Sequence, residues 1–347
     1  MKAACLHGIA DMRIEQIAEA GPPAAGEVVV KVASVGLCGS DLHHYEDGGA
    51  LKEPIILGHE FSGTIAAVGA NARDGLGNPI AVGQRVAVDP AIPCWYCDKC
   101  EEGNPNLCRN LVFMGLAPDH GALRESLTVP ARICFPIPDS MSFELAALLE
   151  PLGIAIHSND LAKIRVGESA TVIGCGLIGL LIIQMARLSG ANPIYAVDQH
   201  PWRLDAAKQC GADGVVNFKE QDPVTAIRAL TDGHGTDIVF EAAWARETIA
   251  QSAEIADLAG TVILVGIPTH NGDVVFNHAS ARRKGLTIKM VRRMKNTYPR
   301  AIKLAMSDRL QLESLISHHF SLDEVPDAFA MNSKYQDKVL KVVIDVQ

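Results

Sequence analysis

The stretch TVIGCGLIGLL, residues 171–181, decides the fold of the second half of the chain. It carries G-x-G-x-x-G at Gly174, Gly176 and Gly179, between a strand-like run and a helical run. A second strand-like run ends in Asp198, about 20 residues further on. The first glycine permits a tight turn, the second lets a pyrophosphate approach the backbone, and the third lets helix and strand pack closely. Because the helix N-terminus offers unpaired N–H groups to phosphates, the stretch predicts a dinucleotide site.

Around this stretch, short apolar strands alternate with helical segments, which predicts an open, doubly wound parallel sheet. The first ~150 residues instead contain short β-branched runs cut by Gly and Pro, such as GEVVVKVASVG (26–36), which predict an all-β, barrel-like unit. The tail after Arg293 has one amphipathic segment, YPRAIKLAMSD, and a final strand, VLKVVIDV. Periodicity alone leaves open whether this tail rejoins the first unit.

Composition excludes several classes of protein. The 347 residues are 48% hydrophobic and carry a formal net charge of −9, without a block of Lys or Arg. A nucleic acid or an acidic membrane would require a basic face, so neither partner is expected. The N-terminus lacks an apolar run of signal-peptide length, and GLIGLLIIQMA (176–186) is too short to span a bilayer. We therefore expect a cytoplasmic protein.

The acidic residue at the end of the second strand indicates which dinucleotide binds. Asp198 would accept hydrogen bonds from the adenosine ribose hydroxyls and repel a 2′-phosphate, which favours NAD over NADP. Arg203 lies five residues further on and could serve a phosphate or stack on adenine. Asp198 therefore predicts NAD, and Arg203 weakens this prediction.

Four of the nine cysteines lie within CWYCDKCEEGNPNLC, residues 94–108. Four cysteinates would close the coordination sphere of zinc and leave no position for a substrate, so Cys94, Cys97, Cys100 and Cys108 predict a structural zinc. Four unligated thiols are the alternative, but clustered thiols would be exposed to oxidation. A zinc-finger role is not favoured, because no basic face accompanies the cluster.

Three other segments contain metal-ligand chemistry: GLCGSDLHHY (36–45), LGHEFSG (57–63) and LLEPLG (148–153). Taken singly, Cys38 could be a small buried hydrophobe, His59 and Glu60 a surface pair, and Glu150 the start of a turn. Taken together, in a chain with a dinucleotide site, a thiolate, an imidazole and a carboxylate suit an open zinc site.

With these motifs the chain resembles the zinc-dependent medium-chain dehydrogenases from end to end. Glu150 followed by PLGIAIHS, and the late segment VRRMKNTYPRAIKL, resemble the polyol dehydrogenase branch. The resemblance implies an α/β protein with a GroES-like β-barrel catalytic domain over 1–150, completed by 293–347. A Rossmann domain with a doubly wound parallel sheet over 151–292 would bind NAD. A homo-oligomer, either tetramer or dimer, is also implied.

The resemblance further implies roles for individual residues. Cys38, His59 and Glu150 match the catalytic zinc ligands, and Glu60 matches an acidic neighbour that can bind the same metal. Ser40 and His43 match a proton relay. With the cysteine cluster, this gives two zinc ions per chain. The implied cofactor contacts, beyond the glycines, are Ile178, Asp198, Arg203, Val265, Gly266, Ile267, Arg292 and Arg293.

The implied reaction is the NAD-dependent oxidation of a polyol or other secondary alcohol to a ketone. Two positions that face substrate in the relatives depart from the branch, which carries tyrosines where this chain has His44 and Met294. The GHEFSG and EPLG motifs also occur in threonine 3-dehydrogenases, which are the rival hypothesis. A non-catalytic protein whose zinc only folds a loop is an alternative of a different class, and metal content would distinguish it.

Overall fold

A computed structural model of the chain describes residues 1–48, 51–267 and 273–347. The chain divides into two compact units. One comprises Met1–Glu150 and Tyr298–Gln347, and the other comprises Pro151–Thr297. Among the residues described, no helix is both long and apolar enough to cross a membrane.

The N-terminal part is built mainly from short strands. Its strands are β1 (Lys2–Gly8), β2 (Asp11–Gln16), β3 (Glu27–Gly36), β4 (Ile55–Ile56), β5 (Glu60–Val68), β6 (Arg85–Val88), β7 (Ala91–Ile92), β8 (Val112–Phe113), β9 (Ser126–Pro130) and β10 (Cys134–Pro136). Its helices are α1 (Gly39–Asp47), α2 (Asp98–Glu101), α3 (Phe143–Ala147) and α4 (Leu149–Ala162), which continues into the second unit.

Strands and helices then alternate through the second unit. The strands are β11 (Ala170–Ile173), β12 (Ile194–Asp198), β13 (Gly214–Asn217), β14 (Thr236–Glu241), β15 (Ala256–Leu264) and β16 (Thr287–Met290). The helices are α5 (Leu177–Leu188), α6 (Pro201–Gln209), α7 (Pro223–Leu230), α8 (Arg246–Ile255) and α9 (His278–Lys284). The tail consists of α10 (Tyr298–Ala305), β17 (Ile316–Ser321), α11 (Val325–Ser333) and β18 (Lys341–Asp345).

The main sheet of the first unit has the strand order β10-β6-β5-β3-β18-β17, with β9 also paired to β3. Alternate residues of β3 point into a core of β-branched and aromatic side chains, which includes Val28, Val30 and Phe61. Gly36 is paired with Glu60 of β5 on one side and with Val343 of β18 on the other. Segments that are distant in sequence therefore meet at the end of β3.

The second unit contains one parallel sheet in the order β13-β12-β11-β14-β15-β16. The chain runs outward from β11 to β13 and then returns to the other side of β11 with β14. This reversal confirms the predicted doubly wound, Rossmann-like sheet and creates a switch point between β11 and β14. The predicted apolar helix is α5, in which Leu180, Leu181, Ile182 and Ile183 are fully buried.

Candidate metal and dinucleotide sites

A cluster of potential metal ligands lies at the end of β3. Cys38 is the N-cap of α1, and His59 and Glu60 lie at the start of β5. One ligand atom from each of these residues, a thiol, an imidazole nitrogen and a carboxylate oxygen, lies within 4.8 Å of the other two. His59 and Glu60 are buried and Cys38 is half-buried, so a cation held here would be shielded from bulk water.

Asp41 supports this cluster from inside the protein, and its side chain is fully buried. It accepts hydrogen bonds from the backbone N–H groups of Cys38, at 2.9 Å, and Gly58, at 3.3 Å. Its Oδ1 also lies 3.4 Å from Nδ1 of His59. Burial alone would raise the pKa of Asp41, but His59 and the two N–H donors hold that pKa below its ordinary value. The carboxylate is therefore charged and fixes the orientation of the imidazole.

Glu60 forms a buried ion pair with Lys341 of β18, and both side chains are 2% exposed. Lys341 Nζ also donates a hydrogen bond of 2.8 Å to the carbonyl of Leu37. A Cβ at Gly36 would lie 2.5 Å from Glu60 Oε2 and 2.8 Å from Lys341 Cε. Glycine at the end of β3 thus leaves space for this pair, and the lysine balances part of the negative charge of the cluster.

Glu150 lies in the first turn of α4 and is 5% exposed. It is not among the three residues whose ligand atoms lie within 4.8 Å of one another. Burial raises the pKa of Glu150, the negative charges of Glu60 and Asp89 add to this effect, and His59 and Lys341 oppose it. In this structure Glu60 is therefore the carboxylate nearer the metal ligands, with Glu150 close enough to interact through its charge.

The two residues predicted to form a proton relay lie on α1, three positions apart and so on one face of the helix. Ser40 Oγ lies 3.5 Å from His59 Nε2, which places the hydroxyl beside the metal cluster. His43 is half-buried, and this burial lowers its pKa. His44 and Met294 stand where the polyol branch carries tyrosines. His44 Nδ1 lies 2.9 Å from the carbonyl oxygen of Ser40, and Met294 is 4% exposed.

The chemistry of this cluster fits a zinc ion. Burial would lower the pKa of His59, yet Asp41 and Cys38 raise it well above its ordinary value. Surroundings that attract a proton to an imidazole this strongly also attract a metal cation. A thiol, an imidazole and a carboxylate form a typical catalytic zinc set, which leaves one position open.

The four clustered cysteines also lie together, with their sulfur atoms within 4.8 Å of one another. The sulfur of Cys97 is 3.6 Å from that of Cys100 and 3.9 Å from that of Cys108. Tetrahedral zinc with Zn–S bonds of about 2.3 Å requires sulfur atoms about 3.8 Å apart. Backbone N–H groups of Arg109 and Cys100 lower the pKa of Cys97 to about 6, which favours the thiolate. The loop therefore fits a closed, structural zinc site.

The glycine turn after β11 has the geometry expected of a dinucleotide site. Gly174 has a φ of +92°, and a Cβ at Gly179 would collide with the carbonyl oxygen of Gly174. Apart from its chain neighbours, a Cβ at Gly176 would meet no atom of the described chain within 4 Å, so the space beside it is open to a ligand. Asp198 accepts hydrogen bonds from the N–H groups of Cys175, at 2.8 Å, and His200, at 2.9 Å. These residues fit a pyrophosphate on the turn and a ribose beside Asp198.

The other predicted cofactor positions are spread over four segments of the second unit. Ile178 and Arg203 are half-buried on α5 and α6, respectively. Val265 and Gly266 directly follow β15, at the same edge of the sheet as the glycine turn, and Ile267 is 65% exposed. Arg292 is exposed, whereas Arg293 is half-buried with a φ of +55°.

Sequence reasoning missed three buried charged residues. Asp41 stands three residues after Cys38, a spacing typical of a helix N-terminal cap, and could have been found from that signal. Lys341 interrupts an apolar strand, which is the usual signal of a paired buried charge. Glu241 ends a strand next to the switch point, where ligands of open parallel sheets bind, but no sequence motif marks it.

Comparisons with known proteins identify the family of the chain. The family model described as Alcohol dehydrogenase GroES-like domain matches residues 24–139, and that described as Zinc-binding dehydrogenase matches residues 178–307. Sorbitol dehydrogenase of Bacillus subtilis (strain 168) is 34% identical over 348 residues, covering 99% of this chain and 97% of that protein. L-threonine 3-dehydrogenase of Bacillus licheniformis is 33% identical over 322 residues, covering 89% of each chain.

Solved structures show the same similarity over the whole chain. An alcohol dehydrogenase from Escherichia coli CFT073 in complex with NADH has a TM-score of 0.89 at 30% identity, covering 100% of this chain and 99% of that one. A zinc-binding dehydrogenase from Sinorhizobium meliloti 1021 bound to NADP has a TM-score of 0.91 at 30% identity, covering 99% of each chain.

The two family models, together with the sorbitol dehydrogenase relative, identify the chain as a zinc-dependent alcohol oxidoreductase with a GroES-like domain and a Rossmann-like parallel sheet. This chain belongs to the zinc-dependent medium-chain dehydrogenase family, in its polyol dehydrogenase-like branch.

Proposed function

We propose that the protein oxidises a polyol or another secondary alcohol to the ketone, with NAD as the hydride acceptor. The observation that carries this proposal is the buried cluster of Cys38, His59 and Glu60, whose ligand atoms lie within 4.8 Å of one another. In the polyol branch that the sequence resembles, the carboxylate that replaces a second thiolate is the one matched by Glu150, and Glu60 matches its acidic neighbour. Asp198 at the end of β12 supports NAD rather than NADP.

In this proposal each unit has its own role. The unit Met1–Glu150 with Tyr298–Gln347 would hold the catalytic and structural zinc ions, and the unit Pro151–Thr297 would bind the dinucleotide. When bound, zinc supplies a Lewis acid that lowers the pKa of the substrate hydroxyl, and NAD supplies the hydride acceptor. Two zinc ions per chain and a homo-oligomeric assembly, dimer or tetramer, belong to the same proposal.

Metal binding, orientation of the ligands and proton transfer are the roles of residues of the chain. Cys38, His59 and Glu60 would hold the metal, and Asp41 would keep His59 in a fixed orientation. Buried Glu150 provides a further carboxyl group close to this set. Ser40, 3.5 Å from His59, accepts the proton of the hydroxyl and passes it toward His43. An imidazole suits this step because its ordinary pKa lies near neutrality, and burial lowers the pKa of His43, which favours release of the proton.

A threonine-type amino-alcohol dehydrogenase is the second candidate, since the relative from Bacillus licheniformis is nearly as similar as the sorbitol dehydrogenase. A substrate panel separates the two. Sorbitol, xylitol, simple secondary alcohols and L-threonine would each be tested with NAD and with NADP, following absorbance of the reduced nicotinamide. Turnover of polyols or secondary alcohols with NAD supports the proposal, whereas turnover of L-threonine alone contradicts it.

Metal content provides an independent test against a non-catalytic protein. Elemental analysis should find two zinc ions per chain, one of which a chelator removes together with activity. A single, tightly held zinc and no turnover of any alcohol would contradict an enzymatic role, because the cluster at Cys38 would then hold no metal.

A further inference from the structure

The loop that follows β14 lies at the switch point of the second unit. β14 ends at Glu241, which is in register with Ile173 at the end of β11 and with Leu264 at the end of β15. Ligands of open parallel sheets bind outside the carboxyl ends of the strands at such a point. Residues 242–244 therefore border the same crevice as the glycine turn after β11, although no sequence motif assigns them a role.

Two glycines bring this loop into direct contact with predicted cofactor segments. A Cβ at Gly174 would lie 2.8 Å from the carbonyl group of Ala242 and from Cα of Ala243. A Cβ at Gly266 would lie 2.8 Å from the backbone nitrogen of Trp244 and 3.1 Å from its Cα. Neither position has room for a side chain, so the loop packs between the dinucleotide turn and the segment after β15.

The third residue of this loop, Trp244, has a φ of +65°. This left-handed conformation is uncommon for any residue other than glycine and is an outlier for a bulky one. Glycine would adopt it without a steric penalty. Costly backbone conformations persist where the surroundings impose them, and they are found disproportionately at ligand sites. A half-buried indole is thus present at a position whose backbone conformation glycine would adopt more easily.

Glu241 holds the loop in this conformation. Its side chain is fully buried, and Oε1 accepts hydrogen bonds from the N–H groups of Ala243, at 2.9 Å, and Trp244, at 3.1 Å. The hydroxyl of Thr248 on α8 lies 2.7 Å from the same oxygen. Because these three contacts converge on Oε1, one side chain fixes both the loop and the start of the next helix.

We infer that Trp244 contacts one of the two heterocyclic rings of the bound dinucleotide, and that Glu241 is the positioning residue that holds Trp244 at the crevice. This inference rests on the proposed binding of NAD. A flat indole is a favourable surface for stacking a base, which accounts for tryptophan at a backbone position that suits glycine.

The test compares binding with stability in the zinc-loaded, full-length protein. Trp244→Gly should raise the Kd for NADH about tenfold, the loss typical of a removed stacking contact. Its Tm should stay unchanged or rise, because glycine relieves the left-handed conformation. Trp244→Phe keeps an aromatic ring and should retain most of the affinity. Ala259→Gly is the matched control, because Ala259 has the same left-handed conformation, with a φ of +59°, but is exposed near the amino end of β15.

The role of Glu241 is tested by two substitutions. Glu241→Ala removes the acceptor of both N–H groups and should raise KM for NAD with little change in kcat. Glu241→Gln keeps an acceptor oxygen and should restore most of the cofactor affinity. Equal KM values for Glu241→Ala and the wild type would contradict the positioning role.

The same variants distinguish the two rings. If Trp244→Gly weakens the binding of ADP-ribose and of NADH equally, the indole contacts adenine. If it weakens only the binding of NADH, the indole contacts nicotinamide. Wild-type affinity for NADH in Trp244→Gly, or a lowered Tm that accompanies the weaker binding, overturns the inference. A wild-type protein that binds neither NADH nor NADPH would instead contradict the proposed function.

Discussion

Asp41 shows how one buried side chain can organise a metal site without binding the metal. It accepts hydrogen bonds from the N–H groups of Cys38 and Gly58 and lies 3.4 Å from the imidazole of His59. It thereby fixes two of the three candidate ligands relative to each other. Partners of this kind raise the basicity of a ligating imidazole and hold its ring in one orientation.

We therefore predict that Asp41→Asn lowers the affinity of the catalytic site for zinc by about 10- to 100-fold. The amide keeps the shape of the side chain but loses its negative charge and one acceptor oxygen. Competition with a chelator, followed by zinc content, measures the change. The cysteine cluster serves as an internal control, because its zinc should remain bound. If the variant and the wild type bind zinc at the Cys38 cluster with the same affinity, the prediction is wrong.

A second residue-scale prediction concerns the thiol itself. Cys38→Ser replaces a thiolate ligand with a hydroxyl that binds zinc weakly, so turnover should be lost while NADH still binds the second unit. Steady-state kinetics and NADH titration together check this. Cys210→Ala is a suitable control, since Cys210 is a buried thiol outside both metal clusters and its replacement should leave turnover in place.

At the scale of an element, the turn between β11 and α5 contains two kinds of glycine. The fold requires Gly179, whereas we expect a bound ligand to require Gly176. A Cβ at Gly179 would collide with the carbonyl of Gly174, whereas a Cβ at Gly176 would meet nothing in the described chain. Gly176 also has a φ of −69°, which any residue can adopt. The two positions should therefore respond differently to the same substitution.

We predict that Gly179→Ala lowers Tm, because α5 must move away from β11. Gly176→Ala should leave Tm unchanged and abolish measurable NADH binding, because the added methyl occupies the space of the pyrophosphate. Thermal unfolding and NADH titration of both variants form the test. Unchanged NADH affinity in Gly176→Ala would show that no phosphate approaches this turn.

Elements with strong local signals could be predicted from the sequence, and the doubly wound sheet is the clearest case. The G-x-G-x-x-G turn, the apolar α5 and the strand ending in Asp198 all follow from short stretches. The ion pair between Glu60 and Lys341 could not be predicted, because 281 positions separate its partners and only strand pairing brings them together. The contacts of Glu241 were missed for another reason: a buried carboxylate next to small residues has no characteristic motif.

For the whole molecule, the C-terminal strand is as important as the N-terminal ones. β18 lies between β3 and β17 in the main sheet of the first unit, and Val342, Val343 and Ile344 are fully buried. Its removal would expose the edge of β3 and leave Glu60 buried without a counter-ion, which costs several kcal/mol. The first unit therefore depends on a strand from the opposite end of the chain.

We predict that a chain truncated after Lys338 fails to fold its first unit and is recovered mainly as aggregate. Removal of Gln347 alone is the control and should be tolerated, because this residue is exposed and makes a single side-chain hydrogen bond, to the carbonyl of Val32. Solubility and circular dichroism compare the two. A soluble, cooperatively unfolding chain 1–338 would contradict the structural role of β18.

The position of Lys341 also affects the order in which the protein is made. Glu60 is synthesised 281 positions before Lys341, the lysine that balances part of its charge. A growing chain therefore carries an acidic, metal-attracting cluster while the residues between them are made, before the counter-ion exists. The candidate metal site is thus completed only once β18 has been synthesised, and a chain terminated before Lys341 cannot complete it.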